Sequence, residues 1–191
     1  ADIHMIFHGG GNRLQSRQAI LQGVEAHRKV DFVVTATTFF TNDAKYSDIV
    51  LPVNTEWERE GGMVTGNREM VIMYQKIVDS LYESKDDQDI VKGIGEKLGI
   101  SAEELYPYDR KQQLFNMAAG TIVAKETGVS SSGMANPFTD DGSQNADSDY
   151  ELLLTITQED IDRWGVEGQP QEGRIPISQL EETGVYQIER S

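Results

Sequence analysis

The sequence predicts an α/β fold built on a mainly parallel sheet. Three observations carry that prediction. A short apolar run, residues 3–8, ends at Gly9-Gly10-Gly11-Asn12. A stretch with apolar residues at helical spacing follows, and then the β-branched run Phe32-Val33-Val34. Strand, tight loop, helix and strand within ~35 residues is the size of a βαβ unit, whose two strands lie parallel. Helices on both faces of such a sheet give a Rossmann-like, three-layer α/β/α arrangement.

The first strand is read from Ile3, Met5, Ile6 and Phe7, and the glycines close it as a turn. Leu14, Ile20, Leu21 and Val24 fall on one helical face, which predicts a helix over 13–29. Ile49-Val50-Leu51, stopped by Pro52, reads as a third buried strand, and Val71-Ile72-Met73-Tyr74 as a fourth. Ile90, Val91, Ile94 and Leu98 predict a helix over 87–98, closed by Gly99. Ser101-Ala102-Glu103-Glu104 is a capping box opening a short helix that Pro107 stops. Residues 110–125 read as a further helix.

Composition then shifts. From Glu126 to Asp162 there is no Lys or Arg, and there are nine acids. Within it, 130–148 is rich in Ser, Gly, Asn and Asp, the composition of a long exposed loop. Short helices follow at 157–164, with Thr157 as cap and Asp160 at its third position, and at 176–183, closed by Gly184. Neither holds a core alone. The expected organisation is an α/β portion over 1–127, a loop over 128–150 and a helical tail over 151–191 that packs on the α/β portion.

The chain has 191 residues, 17 Lys+Arg against 32 Asp+Glu, a net charge of −15 and no cysteine. Without cysteine there is no disulfide framework, iron–sulfur ligation or thiol nucleophile within it. The negative charge argues against nucleic acid and against direct contact with anionic membrane. No apolar run approaches the ~20 residues of a membrane span. The first residue is not Met, and the chain is read as part of a longer protein.

Chemistry gathers at three places. The turn 8–13 brings glycines to the end of a strand, where backbone can approach a ligand and the next helix start favours an anion. The strict G-x-G-x-x-G dinucleotide fingerprint fails at Leu14, and the turn reads equally as a plain tight turn. The Thr-rich run 35–42 follows the second strand at the edge where α/β sheets take ligands, or its hydroxyls satisfy their own backbone. The run Glu56-Trp57-Glu58-Arg59-Glu60 pairs carboxylates but offers no nucleophile, so an Arg framed by acids is held to bond a ligand or the next loop, or the run is solvated. His4, His8 and His27 are scattered without metal-ligand spacing, and Asp86-Asp87-Gln88-Asp89 suits a helix start better than calcium.

In order along the chain, these segments resemble one family. Ile6-Phe7-His8-Gly9-Gly10-Gly11-Asn12 resembles the strand and G-x-N turn of the molybdopterin oxidoreductases. Phe40-Thr41, then Ala44-Lys45-Tyr46-Ser47-Asp48-Ile49-Val50-Leu51-Pro52, resembles that family's T-x-x-A-x-Y-A-D-I-V-L-P segment. Glu58-Arg59-Glu60-Gly61, then Asn67-Arg68-Glu69, resembles its E-K-E-G…N-x-E-R block, with the last pair inverted. The match runs from residue 3 to about 98, and the tail resembles the dimethyl-sulfoxide-reductase type only loosely.

The resemblance implies a molybdenum oxidoreductase of anaerobic respiration, in which two molybdopterin guanine dinucleotides hold the metal. Carried over by position, cofactor contacts fall on Gly11, Asn12, Ala36, Thr37, Arg59 and Asp87, and no catalytic or metal-ligating residue falls within the chain. The family usually has Asp where this chain has Thr37, so the guanine contact there is expected to be water-mediated or lost. The resemblance further implies an incomplete sheet in this segment. Its partners would be the remaining domains of the same catalytic subunit, and iron–sulfur and membrane-anchor subunits. The parent would be exported to the outer face of the cytoplasmic membrane, or else cytoplasmic. The isolated chain is expected to lack turnover and to bind free cofactor weakly. Two other readings stand beside it: a molybdenum-free relative like the large subunit of respiratory complex I, and a nicotinamide-binding Rossmann domain.

Overall fold

The computed structural model describes residues 2–64, 68–130, 137–139 and 142–188. In chain order its elements run β1 (Met5–His8), α1 (Arg13–Ser16), α2 (Ile20–His27), β2 (Phe32–Thr37), α3 (Asn42–Lys45), β3 (Ile49–Pro52), β4 (Gly61–Val64) and β5 (Met70–Tyr74). They continue with α4 (Asp87–Lys97), α5 (Ala102–Leu105), α6 (Arg110–Ala119), β6 (Ile122–Ala124), β7 (Tyr150–Leu152) and β8 (Leu154–Thr155). The chain finishes on α7 (Gln158–Trp164), β9 (Ile175–Pro176), α8 (Ile177–Thr183) and β10 (Val185–Gln187). The chain is mixed α/β with small sheets, and it divides into two compact units: 1–59 with 76–105, and 60–75 with 106–191. This division does not follow the sequence boundaries at 127/128 and 150/151.

The first unit carries the parallel sheet, in the order β1-β2-β3. Its register pairs His8 with Thr35 and Thr37 with Pro52, so the carboxyl ends of all three strands lie on one edge. The residues after α3 set that register. Asp48 accepts a hydrogen bond from the Val33 amide at 2.8 Å, and Ser47 Oγ meets Thr35 Oγ1 at 2.6 Å and donates to the Asp43 carbonyl. Met5, Phe7, Phe32 and Ile49 share one face by this register and are exposed around the buried Val34 and Ala36 of the same face.

The expected helix over 13–29 is two helices. α1 ends at an extended Arg17, and α2 starts after Ala19 in the left-handed region at φ 60°. No residue of α2 is buried, and Leu21 is 77% exposed. Of the apolar face predicted there, Leu14 in α1 is buried and Val24 half-buried, while Ile20 and Leu21 are exposed. α4 is as expected, with Gly99 at φ +82° closing it, and Ser101 accepts from the Glu104 amide at the start of α5.

The second unit holds the larger core. Val71, Met73, Phe115, Ala118, Val123, Leu153, Leu154, Ile156, Ile161, Trp164, Ile177 and Leu180 pack as one buried cluster. The fourth predicted strand exists as β5, but it does not extend the parallel sheet: it sits centrally in the antiparallel order β10-β5-β4. The predicted helix over 110–125 ends at Gly120, and its last turn is instead β6, paired antiparallel with β7. Val123 is fully buried there. α7 has the expected capping box, in which Thr157 Oγ1 accepts from the Asp160 amide and Asp160 accepts from the Thr157 amide. Its Trp164 indole donates to Glu181 at 2.6 Å, and Arg163 binds the same carboxylate through both terminal nitrogens at 2.9 Å. Gly184 closes α8 at φ +70°. Of the loop predicted over 130–148, Ser130 is buried and donates to the Arg68 carbonyl; 131–136 and 140–141 lie outside the described residues, as does Asn67.

Candidate functional site

The carboxyl edge of β1-β2-β3 collects four of the six predicted contacts. Gly11 has φ +80°, which favours glycine, and nothing stands within 4 Å of where a Cβ would be. Asn12 follows as the residue before α1; its amide nitrogen donates to Gln15 at 2.9 Å, and its oxygen accepts weakly from the Asp43 amide at 3.4 Å. Ala36 is buried in β2. Thr37 ends β2, and its hydroxyl donates to the Phe39 carbonyl at 2.9 Å, forming a local turn.

The anion at the start of α1 is the protein's own. Asp43 is fully buried, and its two carboxylate oxygens accept from the Arg13 and Leu14 amides, each at 2.7 Å. The sequence reading offered these amides to a ligand, but a carboxylate from α3 occupies them. No local signal marks Asp43, because its partners lie 29 and 30 residues away in the chain.

The remaining two predicted residues meet each other. Beyond β3, the Asn54 amide donates to the Lys85 carbonyl at 2.9 Å and the Lys85 amide to the Pro52 carbonyl at 3.2 Å. This brings the start of α4 beside the loop 54–59. Arg59 lies 3.5 Å from both Asp87 and Glu56. Among the described residues, two buried side-chain atoms have no hydrogen-bond partner: Arg59 Nε, a donor, and Asn54 Oδ1, an acceptor. Asn54 also donates through its amide nitrogen to Asp86 at 3.4 Å. An orphaned donor on Arg59, beside Asp87, and an orphaned acceptor on Asn54, beside Asp86, are groups that a ligand with paired donors and acceptors on a flat edge, such as a pterin or a guanine, would complement.

Glu58 is no general acid. Its buried carboxylate accepts from the Thr55 amide and hydroxyl at 2.8 and 2.9 Å, from the Leu81 amide at 2.7 Å and from Ser84 Oγ at 3.4 Å. The backbone bonds from Thr55 and Leu81 hold its carboxyl below the usual range and keep it ionised. A groove of about 570 Å³ runs between the end of β3 and α4, lined by Leu51, Pro52, Ile90 and Ile94 with Lys85 and Asp89. None of the six predicted contacts lines it.

Two of the three histidines meet, while His4 stands apart and pairs with Asp31 at 2.7 Å. His27 donates from Nδ1 to the Gly23 carbonyl at 2.7 Å, so in the neutral ring Nε2 accepts. His8 Nε2 meets it at 2.8 Å and supplies the proton. The ring planes lie within 8°, and His8 Nδ1 is 3.8 Å from Asp43. Burial depresses the His8 pKa; Asp43 opposes that shift, while His27 and Arg13 add to it. Among the described residues, no group of three or more His, Cys, Asp or Glu is arranged to hold a metal, and no helix is long and apolar enough to cross a membrane.

Ligands of open α/β sheets sit at the carboxyl ends of the strands, and here that edge carries glycine-rich and polar loops, with Arg59 beside Asp87. Comparison with known proteins gives the family. The molybdopterin oxidoreductase model matches residues 1–97, half of the chain, and the chain belongs to that family. Dimethyl sulfoxide/trimethylamine N-oxide reductase from Cereibacter sphaeroides is 33% identical over 105 residues, 53% of this chain and 13% of that protein. Trimethylamine-N-oxide reductase from Haemophilus influenzae is 32% identical over 107 residues, 55% of this chain and 13% of its own. The F420-dependent formate dehydrogenase subunit alpha of Methanocaldococcus jannaschii is 29% identical over 115 residues, 60% of this chain and 17% of its own. The solved structure of acetylene hydratase from Pelobacter acetylenicus matches with a TM-score of 0.49 and 23% identity, over 59% of this chain and 15% of that one. The chain thus spans a small fraction of the length of these relatives.

Proposed function

We propose that the carboxyl edge of β1-β2-β3 holds the guanine dinucleotide end of a molybdopterin cofactor, in an oxidoreductase of the dimethyl sulfoxide or trimethylamine N-oxide reductase kind. The observation that carries this reading is the Arg59–Asp87 pair at 3.5 Å with Arg59 Nε buried and unbonded. Asp87 would accept from the two N–H donors of a guanine edge, as carboxylates do. Arg59 would donate to a phosphate or carbonyl oxygen, and Asn54 Oδ1 would take a neighbouring donor. Gly11, Asn12 and Thr37 would line the same edge through backbone and hydroxyl. Bound, the cofactor would supply the two-electron redox centre; these residues would supply position only.

The first unit is read as part of a Rossmann-like three-layer domain that other domains of the same subunit complete. The exposed apolar side chains of Met5, Phe7, Phe32 and Ile49 support that reading. Iron–sulfur and membrane-anchor subunits are proposed as further partners of the parent enzyme. One observation favours a second reading, a molybdenum-free structural relative: Asp43 already occupies the amides at the start of α1.

Guanosine and adenosine diphosphates, titrated in parallel, separate the readings. The proposed site binds the guanine form more tightly, and Asp87→Asn removes the preference. Equal or absent binding of both supports the structural relative.

A further inference from the structure

We propose that Glu58 is a positioning residue for this site: its buried carboxylate clasps the segment 77–85 to the loop 54–59 and so sets where Arg59 meets Asp87. The proposal rests on reading the Arg59–Asp87 pair as the cofactor contact. The segment 77–85 leads into α4, and so into Asp87, but little apolar packing holds it. Ile77 and Leu81 are well exposed, and Tyr82 is wholly exposed in the left-handed region at φ 54°. Hydrogen bonds hold it instead. At one end, the Ile77 and Val78 amides donate to the Trp57 carbonyl at 2.8 and 3.0 Å. At the other, Lys85 bonds Pro52 and Asn54 through its backbone. Between them, one oxygen of Glu58 takes the Leu81 amide of the segment, and the other takes the Thr55 amide and hydroxyl of the loop; Ser84 Oγ lies 3.4 Å from the first oxygen and donates at 2.7 Å to the Leu81 carbonyl.

A carboxylate is suited to this task because it accepts at both oxygens and donates at neither. Hydrogen bonds to an ionised acceptor are about twice as strong as neutral ones. Arg59 is the next residue in the chain, so a turn of the backbone at Glu58 displaces it directly. Asp87 is reached through the Lys85 bonds that the clasp flanks. A merely local role would hold Thr55 and Leu81 and leave Arg59 where it is.

Glu58→Gln tests the distinction. Its amide nitrogen cannot accept from Leu81 or Thr55, while its volume is kept. The readout is the Arg59 Nε–H resonance in ¹⁵N-labelled protein without ligand, together with guanosine diphosphate affinity. The positioning role predicts hydrogen exchange at Arg59 Nε–H faster by about tenfold or more, and guanosine diphosphate affinity weaker by about tenfold. Unchanged exchange at Arg59 overturns the proposal. Should Glu58→Gln fail to fold, Thr55→Val removes one of the three short bonds to the carboxylate, and the same shift of smaller size is expected; no shift is again fatal. If guanosine diphosphate fails to bind wild-type protein, the cofactor reading falls, and the ligand-free exchange still decides the role of Glu58.

Discussion

Asp43 holds the turn after β1 from 30 residues away, and no spacing rule would have found it. The sequence shows only an acid after the Thr-rich run 35–42, and the structure places it in α3, capped by Thr41. What makes it structural is a tertiary contact: two amides at the start of α1 that need an acceptor find a buried one. Asp43→Ala leaves both amides buried without that acceptor and is expected to cost about 1–3 kcal/mol in urea unfolding; a loss within error would show that solvent replaces the carboxylate. His8 gives a pH signature. Its depressed pKa means the unfolded chain binds a proton more readily than the folded one. Its contribution to stability is therefore full above the ordinary histidine value of 6.5 and is lost as pH falls through the depressed folded value. His8→Gln should flatten that part of the stability loss between pH 8 and pH 5, measured by urea midpoints. An identical loss in both proteins would assign the acid sensitivity elsewhere. Arg59 and Asp87 were marked by family likeness, and only the fold shows that they touch.

Elements with strong local signals are legible in the sequence. The three parallel strands follow apolar runs, of which β1 is ended by Gly9 and β3 by Pro52, and α4, α7 and α8 follow caps that the structure reproduces. The misreadings share a cause, which is that distant contacts decide them. The break between α1 and α2 contains no Gly or Pro, and Ala19 adopts the left-handed conformation there. β4 begins with two glycines and reads as a loop until its pairing with β5 is seen. Residues 122–124 continue a helical pattern, yet pairing with β7 makes them a strand. β8 and β9 are only two residues each, and their approach depends on Gly173, where a Cβ would stand 2.4 Å from the Leu154 carbonyl carbon. Gly173→Ala is expected to cost about 1–3 kcal/mol by overpacking. Thr157→Ala is expected to cost about 1 kcal/mol through loss of the cap. Both are read by thermal melting, and a melting point unchanged by Gly173→Ala would contradict the close approach.

At the scale of the whole molecule, the chain is two compact units rather than one α/β portion with a tail. The sequence reading had the tail pack on the α/β portion. In the structure the tail makes most of a core, with β5, α6 and Val123 of β6 completing it. The candidate site lies wholly in the first unit, on a sheet of three strands. We read the chain as a portion that positions a cofactor; without cysteine it contributes no iron–sulfur ligand of its own. On this reading the chain by itself should not reduce dimethyl sulfoxide or trimethylamine N-oxide with a dye donor, and metal-dependent turnover would overturn its assignment as a positioning portion. The most direct measurement is cofactor loading of the full-length protein carrying Arg59→Ala, by pterin content per folded protein. Loss of most of the pterin, with the fold intact by circular dichroism, is the predicted result. Loading equal to that of the unaltered protein would contradict the assignment of this edge as the cofactor site.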